Sequence, residues 1–161
     1  MNTNLHTLAS LQAQVAQWHT THQTIVFTNG CFDILHLGHI DYLTKAAQLG
    51  TKLIVGINTD ASVKRLNKGD SRPLQNENAR ALIMASLRCV DAVVLFDEDT
   101  PLQLITAITP NILVKGGDYV PQNIVGYSHV IAHGGKVLTI PFLEGYSTTA
   151  IEQKIINYAN R

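Results

Sequence analysis

The chain is short of cysteine, of any excess charge and of long apolar runs, and each shortage excludes a class of protein. Cys31 and Cys89 are the only cysteines in 161 residues. Two thiols so far apart make neither a disulfide framework nor a zinc ribbon, so reduced thiols are expected. Twelve Lys and Arg balance twelve Asp and Glu. That balance leaves no basic footprint for a long nucleic acid, and any anion binding must be concentrated in one pocket. No stretch approaches the ~18 uninterrupted apolar residues of a membrane span. The opening MNTNLHTLASLQAQVAQWHTTH has neither the basic start nor the apolar centre of a secretory signal, which predicts a soluble, cytoplasmic protein without membrane contact. Repeats, linkers and low-complexity tracts are missing too. With apolar residues at 45%, a chain of this length can bury one substantial core, so a single domain over 1–161 is expected.

What is present is an alternation of apolar runs and helical periods. Leu5, Leu8, Leu11, Val15 and Trp18 recur at steps of three and four, predicting an amphipathic helix in an N-terminal extension over 1–22. Ile25-Val26-Phe27 reads as a buried strand that ends in turn chemistry at Thr28-Asn29-Gly30. A helix over 39–49, a strand over 53–57 and a short helix opening near Asp60 follow. A polar stretch over 67–75, with Gly69 and Pro73, reads as a mobile loop before a helix over 76–87. Strands are predicted over 92–96, 112–114 and 137–140, with a helix from Thr100-Pro101 and a last one capped by Ser147 or Thr148. This rhythm predicts an α/β fold: a Rossmann-like, doubly wound, mostly parallel five-stranded sheet with helices on both faces. Such sheets bind ligands beyond the carboxyl ends of their strands.

Three segments fall at those ends. The first joins Thr28-Asn29-Gly30-Cys31-Phe32-Asp33 to His36-Leu37-Gly38-His39, the second is Lys115-Gly116-Gly117-Asp118, and the third is Glu144-Gly145-Tyr146-Ser147-Thr148-Thr149. Gly30 permits a tight exit from the strand, and Gly38 lets a helix N-terminus meet phosphate oxygens. His36 and His39, three apart at that helix start, can both donate toward a triphosphate and stabilise charge building in a transition state. The alternatives are a capping or packing histidine, or a pair of zinc ligands. No GxGxxG follows the first strand, which argues against a dinucleotide-dependent oxidoreductase.

From about Ile25 to the last helix, these motifs resemble the HxGH nucleotidyltransferases, and within them the cytidylyltransferase branch. Thr-Asn-Gly-Cys-Phe-Asp-Ile-Leu-His-Leu-Gly-His, Gly-Asp-Ser-Arg-Pro over 69–73 and Leu-Val-Lys-Gly-Gly-Asp-Tyr over 113–119 are most similar to the adenylyltransferase halves of bifunctional heptose kinase/adenylyltransferases. The resemblance implies an HxGH nucleotidyltransferase fold and the making of ADP-heptose for lipopolysaccharide. It implies ATP and D-glycero-β-D-manno-heptose 1-phosphate as substrates, with Mg²⁺ on the phosphates and no metal ligands from side chains. A chain this short cannot also hold a sugar kinase domain, so a separate heptose kinase would supply the sugar 1-phosphate. A homodimer is expected from the small size and the N-terminal helix.

Residue by residue, the resemblance implies that His36 and His39 stabilise the transition state, with Lys68 joining them from the loop. Lys64 and Arg65 compete with Lys68 for that role, and a solvated charge cluster is the other option. Asn29, Gly30, Cys31, Phe32 and Gly38 would hold the triphosphate, with Ser147, Thr148 and Thr149 opening the last helix onto it. Arg88 would contact nucleotide, the alternative being a salt bridge to Asp91 or a helix-end contact. Lys115 and Gly116 would meet the nucleotide, and Asp33, Asp118 and Glu144 the second substrate, unless Lys115 and Asp118 merely stabilise a turn. Lys45 reads as a solvated helix residue. Where cytidylyltransferases commonly carry Arg, two residues before the Glu of Glu-Gly-x-Ser-Thr-Thr, this chain has Phe142, which argues against cytidylyl transfer. The competing functions are glycerol 3-phosphate cytidylyl transfer, FMN adenylylation and a nucleotide-sensing module without turnover.

Overall fold

The computed structural model describes residues 4–66 and 72–160. Its strands are β1 (Leu5–His6), β2 (Ile25–Gly30), β3 (Lys52–Asn58), β4 (Ala92–Phe96), β5 (Ile112–Gly116) and β6 (Lys136–Ile140). Its helices are α1 (Leu8–Thr20), α2 (Leu37–Ala47), α3 (Asp60–Arg65), α4 (Glu77–Ala85), α5 (Leu102–Ile108), α6 (Tyr127–Ala132) and α7 (Thr148–Ala159). A short 3₁₀ turn covers Pro121–Asn123.

The strands form one sheet in the order β1-β4-β3-β2-β5-β6, every pair parallel. The chain winds outward from β2 through β3 to β4, then returns across the sheet to place β5 on the other side of β2. The order therefore reverses between β2 and β5, where a doubly wound sheet opens a crevice at its carboxyl edge.

Alternation along the strands sorts two cores. Ile25, Phe27, Ile54 and Leu113 face one side, with Leu11 and Val15 of α1, Leu104 and Ile105 of α5 and Val130 of α6. Val26, Leu53, Val55 and Val114 face the other, with Tyr42 and Leu43 of α2 and Ala81 and Met84 of α4. Strands buried on both faces read as continuous apolar runs, as these do.

One expectation is corrected. The sheet has six strands rather than five, because Leu5–His6 pairs with Val93 and Val94 at the β4 edge. Leu5 fits the helical spacing of Leu8 and Leu11, but Thr7 starts the helix. Its hydroxyl accepts from the Ser10 amide at 3.2 Å, and its own amide donates to the Ser10 hydroxyl at 3.0 Å, a reciprocal cap that fixes the boundary. The N-terminal helix packs one face on the domain, with Leu11 and Val15 in the core.

Candidate active site

β2 and β5 deliver the first and second motifs to adjacent positions, as the reversal of strand order requires. Lys115 Nζ donates to Asn29 Oδ1 across the reversal point at 3.4 Å. A cleft of about 500 Å³ opens there, within the usual range for a small-molecule site. Asn29, Gly30, Cys31 and Phe32 line it from β2, Lys115 and Gly116 from β5, His39 from α2, and Thr148 and Thr149 from the start of α7.

The loop after β2 is shaped by Phe32, which takes a left-handed backbone (φ 49°). Its ring folds back over Gly30, where an added Cβ would lie 2.9 Å from Phe32 Cε2. The same ring meets His39 edge-on, with centroids 5.2 Å apart. Gly30 thus leaves room for the ring that braces the catalytic candidate.

His36 is the N-cap of α2 but makes no side-chain capping bond. Its ring turns back over Gly38, where a Cβ would meet the His36 ring at 3.1 Å and Tyr146 Cβ at 3.3 Å. The ring stacks on His39, with centroids 3.8 Å apart and planes at 22°. Both Nδ1 atoms are buried without a hydrogen-bond partner. At His39 a backbone hydrogen bond to Ile34 favours the charged ring and works against burial. Burial pushes the His39 imidazole down to about 4, and the stacked His36 ring adds to the fall. Burial lowers His36 as well. Both rings are neutral donors at physiological pH.

Several sequence expectations are redirected. His36 and Gly38 are not among the residues lining the cleft; His36 stacks on His39 and closes over Gly38. Asp33 borders the cleft, but its carboxylate accepts from the amides of Leu74 and Gln75 at 2.8 and 2.9 Å and pairs with Arg72 at 3.5 Å. It anchors the segment after the loop and is not open to substrate. Ser147 caps α7, its hydroxyl accepting from the Ala150 amide at 3.1 Å, a role that leaves its O–H as a donor. Asp118 and Glu144 are exposed and outside the cleft wall.

Arg88 is exposed and follows the end of α4, just before β4. In a parallel sheet every helix-to-strand connection lies at the amino edge, so topology carries Arg88 to the edge opposite the cleft. It does not hold Asp91 either, which pairs with Lys52 at 3.0 Å. Lys68 lies outside the described residues. Of its competitors, Arg65 is bound to Asp99 at 2.6 Å and to Asp97, while Lys64 is exposed. Lys45 pairs with Asp41 at 2.7 Å, on the solvated helix face expected for it.

Sequence reasoning assigned no role to Arg72 or Arg80. Arg72 lines the cleft, its guanidinium paired with Asp33 and Glu152. Arg80 is fully buried. It donates to the carbonyls of Cys31 (2.6 Å), Asn58 (2.8 Å) and Gln75 (3.0 Å) and to Asp60 (2.8 Å). One guanidinium thereby ties the loop after β2 to the end of β3 and the start of α4. The available signal was its place beside Ala81, Met84 and Ala85 on the apolar stripe of α4, since a charge there demands partners. Phe142 lies over Gly116 and Gly117, and Tyr119 flanks Gly117, so two aromatic rings edge the cleft mouth.

Among the described residues no three His, Cys, Asp or Glu side chains gather as a metal cluster, and no helix is long and apolar enough to cross a membrane.

Comparison with known proteins agrees with this arrangement. The "bifunctional protein HldE" of Rhodopseudomonas palustris (strain HaA2) is 54% identical over 146 residues, covering 91% of this chain and 30% of that protein. Its namesake from Trichlorobacter lovleyi is 58% identical over 132 residues, covering 82% of this chain and 27% of that one. The chain thus spans less than a third of the length of these curated relatives. The crystal structure of the lipopolysaccharide core biosynthesis protein from Thermoplasma volcanium superposes with a TM-score of 0.62 at 30% identity, covering 78% of this chain and 99% of that one. Pantothenate synthetase from Thermus thermophilus shares the fold, with a TM-score of 0.56 at 16% identity, covering 88% of this chain and 62% of that one. The cytidylyltransferase-like family model matches residues 27–154, from β2 into α7, and the chain belongs to that family.

Proposed function

We propose that the chain is an adenylyltransferase that joins D-glycero-β-D-manno-heptose 1-phosphate to AMP from ATP, giving ADP-heptose and pyrophosphate. The observation that carries the chemistry is the neutral, stacked His36–His39 pair beside a cleft that also presents Lys115, Arg72 and the first residues of α7. The choice of sugar and base rests on the motif resemblance to heptose adenylyltransferases and on the relatives that share the HldE name.

In this reading a phosphate oxygen of the sugar 1-phosphate attacks the α-phosphorus of ATP in line, forming the new P–O bond as the bond to pyrophosphate breaks. A phosphate monoester with second pKa near ~6 is already largely dianionic at neutral pH, so no strong general base is needed. The protein's work is alignment and the absorption of charge. His39, backed by His36, donates to the phosphoryl oxygens as their charge grows. Lys115 balances the triphosphate, and Thr148 and Thr149 meet it with the amides of a helix start. Lys68 belongs to the same proposal as a further phosphate-binding cation.

Mg²⁺ fits this donor set as an ion carried by phosphate oxygens, with Asp33 already committed to Arg72 and backbone amides. It would supply charge neutralisation. A heptose kinase activity would provide the sugar 1-phosphate in the cytoplasm, and the enzyme would act as a homodimer.

The deciding experiment is pyrophosphate release with Mg²⁺ and ATP or CTP, each offered with heptose 1-phosphate or glycerol 3-phosphate. Release with ATP and heptose 1-phosphate alone is expected. Release with another pair overturns the substrate assignment, and silence with every pair overturns the proposed reaction.

A further inference from the structure

The helix that brings Thr148 and Thr149 to the cleft is weakly held by apolar contacts. No residue of α7 is buried, and Ile155 and Ile156 are more than half exposed. A helix without a buried face needs another anchor to keep its first turn in place.

Glu152 supplies one. It lies four residues after Thr148 and three after Thr149, so the three side chains share one side of the helix. Its carboxylate meets Arg72 Nη2 at 2.7 Å, while Arg72 Nη1 reaches Asp33 at 3.5 Å. Asp33 is itself fixed by the amides of Leu74 and Gln75, and the Gln75 side-chain amide donates to the Asp33 carbonyl. The connection runs from the loop after β2, through Asp33 and Arg72, to α7. Among the described residues it is the ion pair that joins α7 to the rest of the chain.

The three groups are well enough shielded for the bridge to matter. The Asp33 side chain is 2% exposed, Arg72 14% and Glu152 27%, so the pairing is screened less than one on the open surface. The planar fork of arginine can satisfy two carboxylates at once, which a lysine cannot do with the same geometry. The group as a whole carries two negative charges and one positive beside a cleft suited to anions. A second carboxylate is electrostatically unhelpful there, so its presence calls for a mechanical reason.

We propose that Glu152 is a positioning residue: through Arg72 and Asp33 it holds the first turn of α7 against the cleft, so that Thr148 and Thr149 face the triphosphate. The proposal rests on the nucleotidyl-transfer reading for its functional consequence, but the mechanical link does not depend on which substrates are used.

The test has two arms on the full chain. In Glu152→Ala, backbone amides of α7 should exchange with solvent about fivefold faster or more, while those of β2 and β3 keep their wild-type protection. In the same variant the KM for the triphosphate should rise about fivefold, with kcat changed far less. The direction is diagnostic, because removing a negative charge beside an anion site would by itself lower KM. Glu152→Gln, which keeps an acceptor for Arg72, should recover part of both effects, and Arg72→Lys should loosen α7 as Glu152→Ala does. Wild-type exchange in α7 of Glu152→Ala, or a KM that stays level or falls, would overturn the proposal. If the wild-type chain turns over none of the substrate pairs, the exchange arm still decides whether Glu152 anchors α7, and only the reaction assignment fails.

Discussion

His36 and His39 stack face to face, with ring centroids 3.8 Å apart, and each carries a buried Nδ1 without a partner. Two imidazoles so close cannot both be charged without cost, and burial already keeps His39 neutral, at about 4. The pair is therefore built to donate from neutral rings, with His39 on the cleft wall and His36 holding its orientation. His39→Ala should lower kcat by about a hundredfold or more, as loss of an oxyanion-type donor does, while ATP affinity changes little. His36→Ala should give a smaller loss of the same kind. Pyrophosphate release under saturating substrate, set beside ATP binding by calorimetry, separates the two effects; wild-type kcat in His39→Ala would remove His39 from the chemistry.

The same ring makes stability depend on pH. The unfolded His39 titrates near its ordinary 6.5, the folded one at about 4, so between those values the unfolded chain binds more protons. Stability is then fully present above pH 6.5 and falls as pH drops toward 4. The urea midpoint should decline across that window, and His39→Gln should flatten the decline. A residual slope is expected from His6 and His36, both lowered by burial. An unchanged pH profile in His39→Gln would show that the ring is not desolvated in the folded protein.

Much of this site was legible in the sequence because its signals are local. Gly30, Gly38, Gly116 and Ser147 mark strand exits and helix starts by their own backbone chemistry, and the apolar runs of β2 to β6 announce a parallel sheet. What escaped depends on topology or on distant partners. Arg88 sits in a plausible motif, but only the direction of the strands shows that it falls on the wrong edge. Asp33 reads as a free carboxylate until the Leu74 and Gln75 amides, some forty positions away, are seen to occupy it. Helix α6 was missed because Gly126, its N-cap, offers no side chain to announce it, and β1 is too short for alternation to register.

Arg80 exemplifies that non-local dependence and carries a stability prediction. Arg80→Leu would strip hydrogen-bond donors from three backbone carbonyls and from Asp60 at once. Removing one side of a buried ionic network costs about 3–5 kcal/mol, and equilibrium urea unfolding should read a loss of that order. Arg80→Lys should recover only part, since an ammonium cannot reach all four acceptors from one position. A loss under about 1 kcal/mol, typical of an open surface site, would mean that the clamp is not holding the loop after β2.

The aromatic edge of the cleft gives the last prediction. At Gly116 an added Cβ would lie 2.5 Å from Phe142 Cε1 and 3.3 Å from Tyr42 Cε2. Tyr42 cannot yield, because its hydroxyl is buried against Thr28 at 2.6 Å and the Val114 carbonyl at 3.3 Å. Phe142 can, being 66% exposed, so a methyl at 116 should leave the core alone and push the Phe142 ring off the cleft mouth. Gly116→Ala should therefore cost little stability, within about 1 kcal/mol, yet lower kcat/KM. Phe142→Ala should lower it by a similar factor, and the double variant should fall no further than the worse single one, because both changes remove the same ring from the same place. Neighbouring changes that act through one group are non-additive in this way. Multiplying losses in the double variant would instead mean that the methyl obstructs substrate directly and that Phe142 acts independently of it.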